Sequence, residues 1–441
     1  VRRSFCATVT LALPAASLAQ QPAADVPDSI PTVTLSQALQ LARTVSPALA
    51  AGEANVRAAR ASRLAVTGEY LPSLGVASSA GRGTTVQGAS AVTNGVPVSS
   101  AMRPLDDTYG SGISASIPIF TGGRRGADRR SANAQQAAAV AGMTSAEFDV
   151  RLATKQAYFD VLRAGELVDV ASARVAEGEE AMRDAERRLR AGTSTRSDVL
   201  RAQVTLAGAR DALATAQAER TAAQYALGRS IGKDGPIAAA PVAEDDTVGI
   251  GVPRDSVVAL AVRMAPSARA ANAAAQSADA AVGSARAQYL PSVLASGGYG
   301  WLEQRSVTSH PVGGWTAQVG ISYPLFNNFQ REASVMRAEA QANAAHVTAR
   351  DAERGVRADA VRAYDQVKVA AARIGLAREA VAAATEDLRV QQARYRAGAS
   401  TFLDELTSET NLTQARTSLV QARYDYQIAR ATLERVLGRE L

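Results

Sequence analysis

The 441-residue chain holds one cysteine, two histidines and five methionines, and aromatics make up only 5% of it. Cys6 lies in the first apolar stretch, so the rest of the chain can form no disulfide. Phe5 stands before it where a lipidation site wants Gly, Ala or Ser, so no lipid anchor is expected. His310 and His346 fall on different elements and the methionines are scattered, which leaves no metal relay. There is no HExxH, no nucleotide-binding loop and no nucleophile–base constellation, so neither an enzyme nor a cofactor is expected. After residue 30 no run of about 18 apolar residues occurs, which excludes a polytopic helical membrane protein. The net charge of +6 is modest and spread out, and does not point to nucleic acid.

The first residues read as a secretory signal over 1–19. Arg2 and Arg3 form the charged start, Phe5 to Leu18 the apolar core, and Ser17-Leu18-Ala19 supplies small residues for cleavage before Gln20. Residues 20–33, with Pro22, Pro27 and Pro31, read as a flexible leader.

What the chain does have is a repeat. Tyr70-Leu71-Pro72-Ser73 returns as Tyr289-Leu290-Pro291-Ser292. Ser116-Ile117-Pro118-Ile119-Phe120 returns as Ser322-Tyr323-Pro324-Leu325-Phe326. Arg188-Leu189-Arg190-Ala191-Gly192 returns as Arg394-Tyr395-Arg396-Ala397-Gly398. A duplication this long makes each half one copy of a helix–hairpin–helix unit. The expected limits are 34–228 for the first repeat, 229–254 for an irregular linker and 255–441 for the second repeat. The first hairpin is longer by 13 residues, which places an outward loop at 82–107.

Each unit begins with a helix interrupted by a proline, Pro47 and Pro266. After each Tyr-Leu-Pro-Ser the apolar period changes to two, giving hairpins over about 72–120 and 291–326. Tyr109, Ile113, Ala115, Ile117 and Ile119 share one face; Trp315, Ala317, Val319, Ile321, Tyr323 and Leu325 share another. Gly, Ser and Thr fill the opposite faces, with nothing large enough to build a second packed layer. Residues 74–80 give the weakest of the four strands. Tyr299, Trp301, Trp315, Tyr323 and Phe326 stand near strand ends, as an interfacial aromatic girdle does. Two long helical stretches follow, about 124–190 and 330–396, each of about 100 Å. No globular domain buries such a helix, so these must project as a coiled coil or line a tube. The returning helices carry Leu/Ala heptads, Leu412-Ala415-Leu419-Ala422 among them. The turns between them fall at about 191–197 and 397–403.

Four strands cannot close a barrel, and an open edge cannot face lipid. Three copies would give twelve strands. In these features, and in each Ala-Gly-(x)-Ser-Thr turn with Asp three residues past Thr, the chain resembles the TolC-like outer-membrane efflux protein family. The resemblance implies an α+β membrane protein: a homotrimeric, 12-stranded outer-membrane β-barrel continued by a helical coiled-coil periplasmic tunnel. It implies an exit duct of a tripartite efflux or type I secretion system. The partners would be a periplasmic adaptor (membrane fusion) protein, an inner-membrane pump or ABC secretion ATPase, and outer-membrane lipid. The competing reading is a non-channel periplasmic coiled-coil adaptor or scaffold, against which the duplicated amphipathic hairpins speak.

The family places acidic residues around the periplasmic aperture, which points to Asp198, Asp404 and Glu405 at the tips. A ring of these carboxylates would attract cations and raise some of their pKa values. Thr195 with Asp198, and Thr401 with Asp404, also have capping-box-like spacing. Glu405 has no counterpart, since Val199 stands in the other repeat. Ser400 stands where relatives carry a basic latch residue, and Thr407 where they carry a second Asp; Arg196 is a candidate replacement for the basic partner. Gly192, Thr195, Gly398, Ser400 and Thr401 form the tip turns and the expected adaptor contact.

Overall fold

The computed structural model describes residues 30–83, 92–93, 96–97, 106–242, 251–304 and 312–440. The expected signal segment, most of the leader and of the 82–107 loop, and His310 lie outside the described residues.

The chain enters through β1 (Thr32–Val33), α1 (Leu35–Val45) and α2 (Pro47–Gly68). Ser46 ends α1 and caps α2, its hydroxyl accepting from the Leu49 amide, with Pro47 in the first turn. Proline is tolerated there because that amide would have no intrahelical partner. Strand β2 (Ser73–Gly83) follows, then the two-residue strands β3 (Val92–Thr93) and β4 (Val96–Pro97), then β5 (Asp106–Thr121). Helix α3 (Arg124–Arg190) runs 67 residues and α4 (Arg196–Ser230) returns. The second half repeats this order. After β6 (Ala238–Ala239) come α5 (Arg254–Met264), α6 (Pro266–Arg286), β7 (Ser292–Gln304), β8 (Val312–Ser322), the 67-residue α7 (Gln330–Arg396) and α8 (Phe402–Leu437). No helix among the described residues is long and apolar enough to cross a membrane.

The linker is not wholly irregular. Helix α4 continues into it, and β6 pairs in parallel with β1 at the end of the leader. Tyr158, fully buried on α3, fastens this ladder by donating its hydroxyl to the Ala240 carbonyl at 2.6 Å. Its repeat counterpart on α7, Tyr364, donates to the Val252 carbonyl at 3.3 Å. The two cores are likewise duplicated. One gathers Ala38, Tyr158, Phe159, Leu227 and Ile231; the other gathers Val257, Val367, Ile374, Tyr426 and Leu433.

The main sheet is antiparallel in the order β2-β5-β7-β8, so the repeats join through β5 and β7. The register puts Leu74, Val76, Ile113, Ile117, Tyr299, Trp301, Trp315, Val319 and Ile321 on one face. Val76 is 79% exposed and Trp315 78%, so nothing among the described residues covers that face. The other face is mainly small: Ser73, Gly112, Ser114, Ser296, Gly298 and Thr316, with Pro118, Leu294, Leu302 and Gln318 among the exceptions. Strand β2, the weakest in the sequence, pairs with β5 along its full 11 residues. Ile119 departs from its expected place. A bulge between Pro118 and Phe120 drops it from the ladder and sets Phe120 opposite Val293, because an extra residue shifts the side-chain alternation by one.

Candidate functional site

The far ends of the long hairpins are built alike. Gly192 (φ 71°) and Gly398 (φ 73°) take the left-handed conformation that ends α3 and α7. At the first tip Thr193 N–H donates to the Arg188 carbonyl and Gly192 N–H to that of Leu189. At the second, Ala399 donates to Arg394 and Gly398 to Tyr395. This pair of bonds satisfies carbonyls that the helix end would otherwise orphan.

Both expected capping boxes form. Asp198 accepts from the Thr195 amide (3.1 Å), the Thr195 hydroxyl (2.8 Å) and the Ser194 hydroxyl (3.0 Å). Asp404 accepts from the Thr401 amide (2.9 Å) and hydroxyl (2.8 Å). Partial burial pushes Asp198 up, but the Thr195 and Ser194 hydrogen bonds outweigh it and hold the carboxyl below its ordinary range. The Thr401 amide and hydroxyl lower Asp404 in the same way. Ser400 donates to the Gln391 carbonyl at 3.4 Å. Arg196 stands exposed in the first turn of α4 and has no ion pair among the described residues.

Glu405 differs from both aspartates. It is half-buried one residue past Asp404, and burial, then Glu409 and Asp184, push its carboxyl up to about 7. Behind it lies a small core that composition does not announce. Phe402, 5% exposed, inserts among Ala181, Met182, Ala185, Val199 and Ala202 of the other hairpin. Tyr395 packs on Phe402 with ring centroids 5.8 Å apart, and the Arg188 guanidinium stacks on Tyr395 at 4.3 Å. Burying a ring of this size contributes on the order of 2 kcal/mol. The heptad through Val381, Leu388 and Tyr395 marks that face of α7, but its partner on the first hairpin lies about 200 residues away in the chain.

Further up, the hairpins meet along α3 and α8 through charge. Asp149 pairs with Arg435 (2.6 Å), Lys155 with Glu434, Glu177 with Arg416 (3.1 Å), and Arg174 with Glu409. Glu166 takes Arg423 (3.1 Å) and accepts from the Tyr424 hydroxyl (2.6 Å). Arg174 and Glu409 are both buried.

At the opposite end, a duplicated arginine joins helix to sheet. Arg125 donates to the carbonyls of Glu69 (3.2 Å) and Ile119 (3.0 Å) and stacks on Tyr70. Arg331 donates to the carbonyls of Pro324 (3.0 Å) and Leu325 (3.2 Å) and stacks on Tyr289. Both arginines stand seven residues past the strand-exit proline, a repeat signal overlooked beside the larger motifs. The aromatics Tyr299, Trp301, Trp315, Tyr323 and Phe326 are all exposed. Tyr299 lies directly opposite Trp315 toward the outer rim, while Tyr323 and Phe326 lie by the helix junction. Trp315 and Tyr323 are eight residues apart, about 26 Å along an extended strand. His346 pairs with Asp279 at 2.9 Å on the helical body.

Comparison with known proteins agrees with this architecture. The family model described as outer membrane efflux protein matches residues 38–233 and 257–439, one segment per repeat. The chain is 30% identical to protein CyaE of Bordetella pertussis over 82% of its length and 74% of the relative's. It is 26% identical to the pyoverdine export outer membrane protein OpmQ of Pseudomonas aeruginosa, over 92% and 85%. The outer membrane protein VceC of Vibrio cholerae superposes with a TM-score of 0.79 at 20% identity, covering 92% of this chain and 96% of that one. The chain therefore belongs to the outer membrane efflux protein family, with its sheet in the outer membrane and its long helices in the periplasm.

Proposed function

We propose that three copies close a 12-stranded barrel and that their helices continue it as a tunnel, a passive exit duct fed through a periplasmic adaptor by an inner-membrane pump or secretion ATPase. The carrying observation is the sheet: an exposed apolar face, a face of mainly small side chains, and two edges, β2 and β8, that pair with no further strand among the described residues. Such edges are tolerated in lipid only when another copy pairs with them. The small inner face leaves room for a lumen. The exposed aromatics then lie at the two lipid–water boundaries.

In this reading the tips form the periplasmic entrance. Asp404 and Glu405 of three copies surround it, with Asp198 and Arg196 on the neighbouring tips. The turns at Gly192, Thr195, Gly398, Ser400 and Thr401 meet the adaptor. Capping and pore lining are compatible for Asp404, because the Thr401 amide and hydroxyl both bond to the same carboxylate oxygen, Oδ2.

The test is single-channel conductance of the purified oligomer in a planar bilayer, wild type against the double variant Asp404→Ala, Glu405→Ala. Cation-selective steps that lose their selectivity in the variant support both the duct and its acidic entrance. Unchanged steps keep the duct and confine those carboxylates to capping. Absence of steps from a folded oligomer, even with its tips opened by Phe402→Ala, overturns the duct.

A further inference from the structure

The seam between the hairpins changes character at its end. Along most of α3 and α8 acid meets base, from Asp149–Arg435 to Arg174–Glu409. Beside the tip core this alternation fails. Glu405 of α8 faces Asp184 of α3, and Glu409 stands one turn away on its own helix.

The cations within reach are already engaged or exposed. Arg188 of α3 bonds Asp184 at 2.9 Å and stacks on Tyr395. Arg174 is held by Glu409. Arg396 of α7 contributes only a weak attraction from an exposed position. The carboxyl of Glu405 is thus half-buried against two other carboxylates, beside the apolar contact that Phe402 makes between the two hairpins at their tips.

We propose that Glu405 is a proton-operated latch between the two hairpins of each protomer: neutral, it lets the tips stay closed around Phe402, and ionised, it drives them apart. This deepens the duct reading and rests on it.

The sign follows from linkage. In the closed tip Glu405 titrates near 7, and in a separated, solvated tip near its ordinary 4.5. The closed form therefore holds more protons between those values. Closure is fully favoured below about 4.5 and is lost as pH rises toward about 7, by up to roughly tenfold in the closed-to-open ratio per pH unit and per protomer. Solvent at the half-exposed site reduces this figure.

The experiment has two readouts on the intact oligomer across pH 4.5 to 8. One is open probability in a planar bilayer. The other is the distance between spin labels on exposed tip positions, Arg183→Cys on α3 and Thr410→Cys on α8. Wild type is expected to open and its labels to separate as pH rises from about 4.5, the change levelling off above about 7. Glu405→Gln, always neutral, is expected to stay closed at pH 8, with open probability lower by about tenfold or more. Phe402→Ala is expected to open at every pH.

A Glu405→Gln profile that matches wild type in both readouts overturns the latch. If Phe402→Ala conducts without pH dependence while wild type also shows none, the latch fails and the duct stands. If no variant conducts, the duct reading fails, and the label distances alone decide whether Glu405 governs the tips.

Discussion

At the residue scale, a tightly constrained position is Gly122, at the turn from β5 into α3. Its φ is +64°, and a Cβ there would lie 2.4 Å from the Ala287 carbonyl oxygen. Both the backbone conformation and the clash oppose any side chain. Gly122→Ala is expected to destabilise by more than about 2 kcal/mol, seen as a loss of heat-stable oligomer on semi-native gels. Gly123→Ala, with open space around its Cβ, should cost less. The tip caps give a second expectation. Asp198 is held below its ordinary pKa, so its stabilisation is present above the unfolded carboxylate value of about 3.9 and disappears as pH falls through the lower native value. Hydrogen-exchange protection at the first turn of α4 should stay level from pH 8 to 5 and drop below about 4. Thr195→Ala should remove about 1 kcal/mol of that protection at neutral pH.

At the scale of elements, the joint between sheet and helix depends on Arg125 and Arg331. Each ties the end of a strand to the start of a 67-residue helix and covers the Tyr of the repeated Tyr-Leu-Pro-Ser. Arg331 is the more buried of the two, so Arg331→Ala should cost more than Arg125→Ala, in the range of about 2–4 kcal/mol, read as a lower denaturation temperature of the oligomer. The elements themselves were legible in the sequence. Proline spacing gave the helix breaks, the change of apolar period gave the strands, and the Ala-Gly turns gave both ends of the long helices. The expected extents of α3 and α7 match those observed. The capping boxes were legible too, because they span three residues. The Phe402 core, the Arg174–Glu409 pair and the bulge at Ile119 were not. Each depends on contacts between segments far apart in sequence, or on one extra residue that leaves the composition of a strand unchanged.

At the scale of the molecule, the sheet order β2-β5-β7-β8 leaves β2 and β8 at the edges, so the proposed assembly would set β2 of one copy against β8 of the next. Because the described residues contain no cysteine, paired cysteine substitutions offer a clean test. One cysteine on β2 and one on β8, scanned along both strands, should yield disulfide-linked dimers and trimers in one register only. Cysteines on β5 and β8, which are not neighbours in the sheet, should yield none. The uncovered face and the two open edges also govern how the protein reaches its membrane. A lone copy with open edges cannot enter hydrocarbon, where each unpaired backbone group costs several kcal/mol, so in the proposed trimer insertion would wait on the encounter of three chains. The reaction is of high kinetic order: when synthesis is slow, the yield of inserted protein should rise far more steeply than the supply of chains, and copies in transit must be shielded until their neighbours arrive.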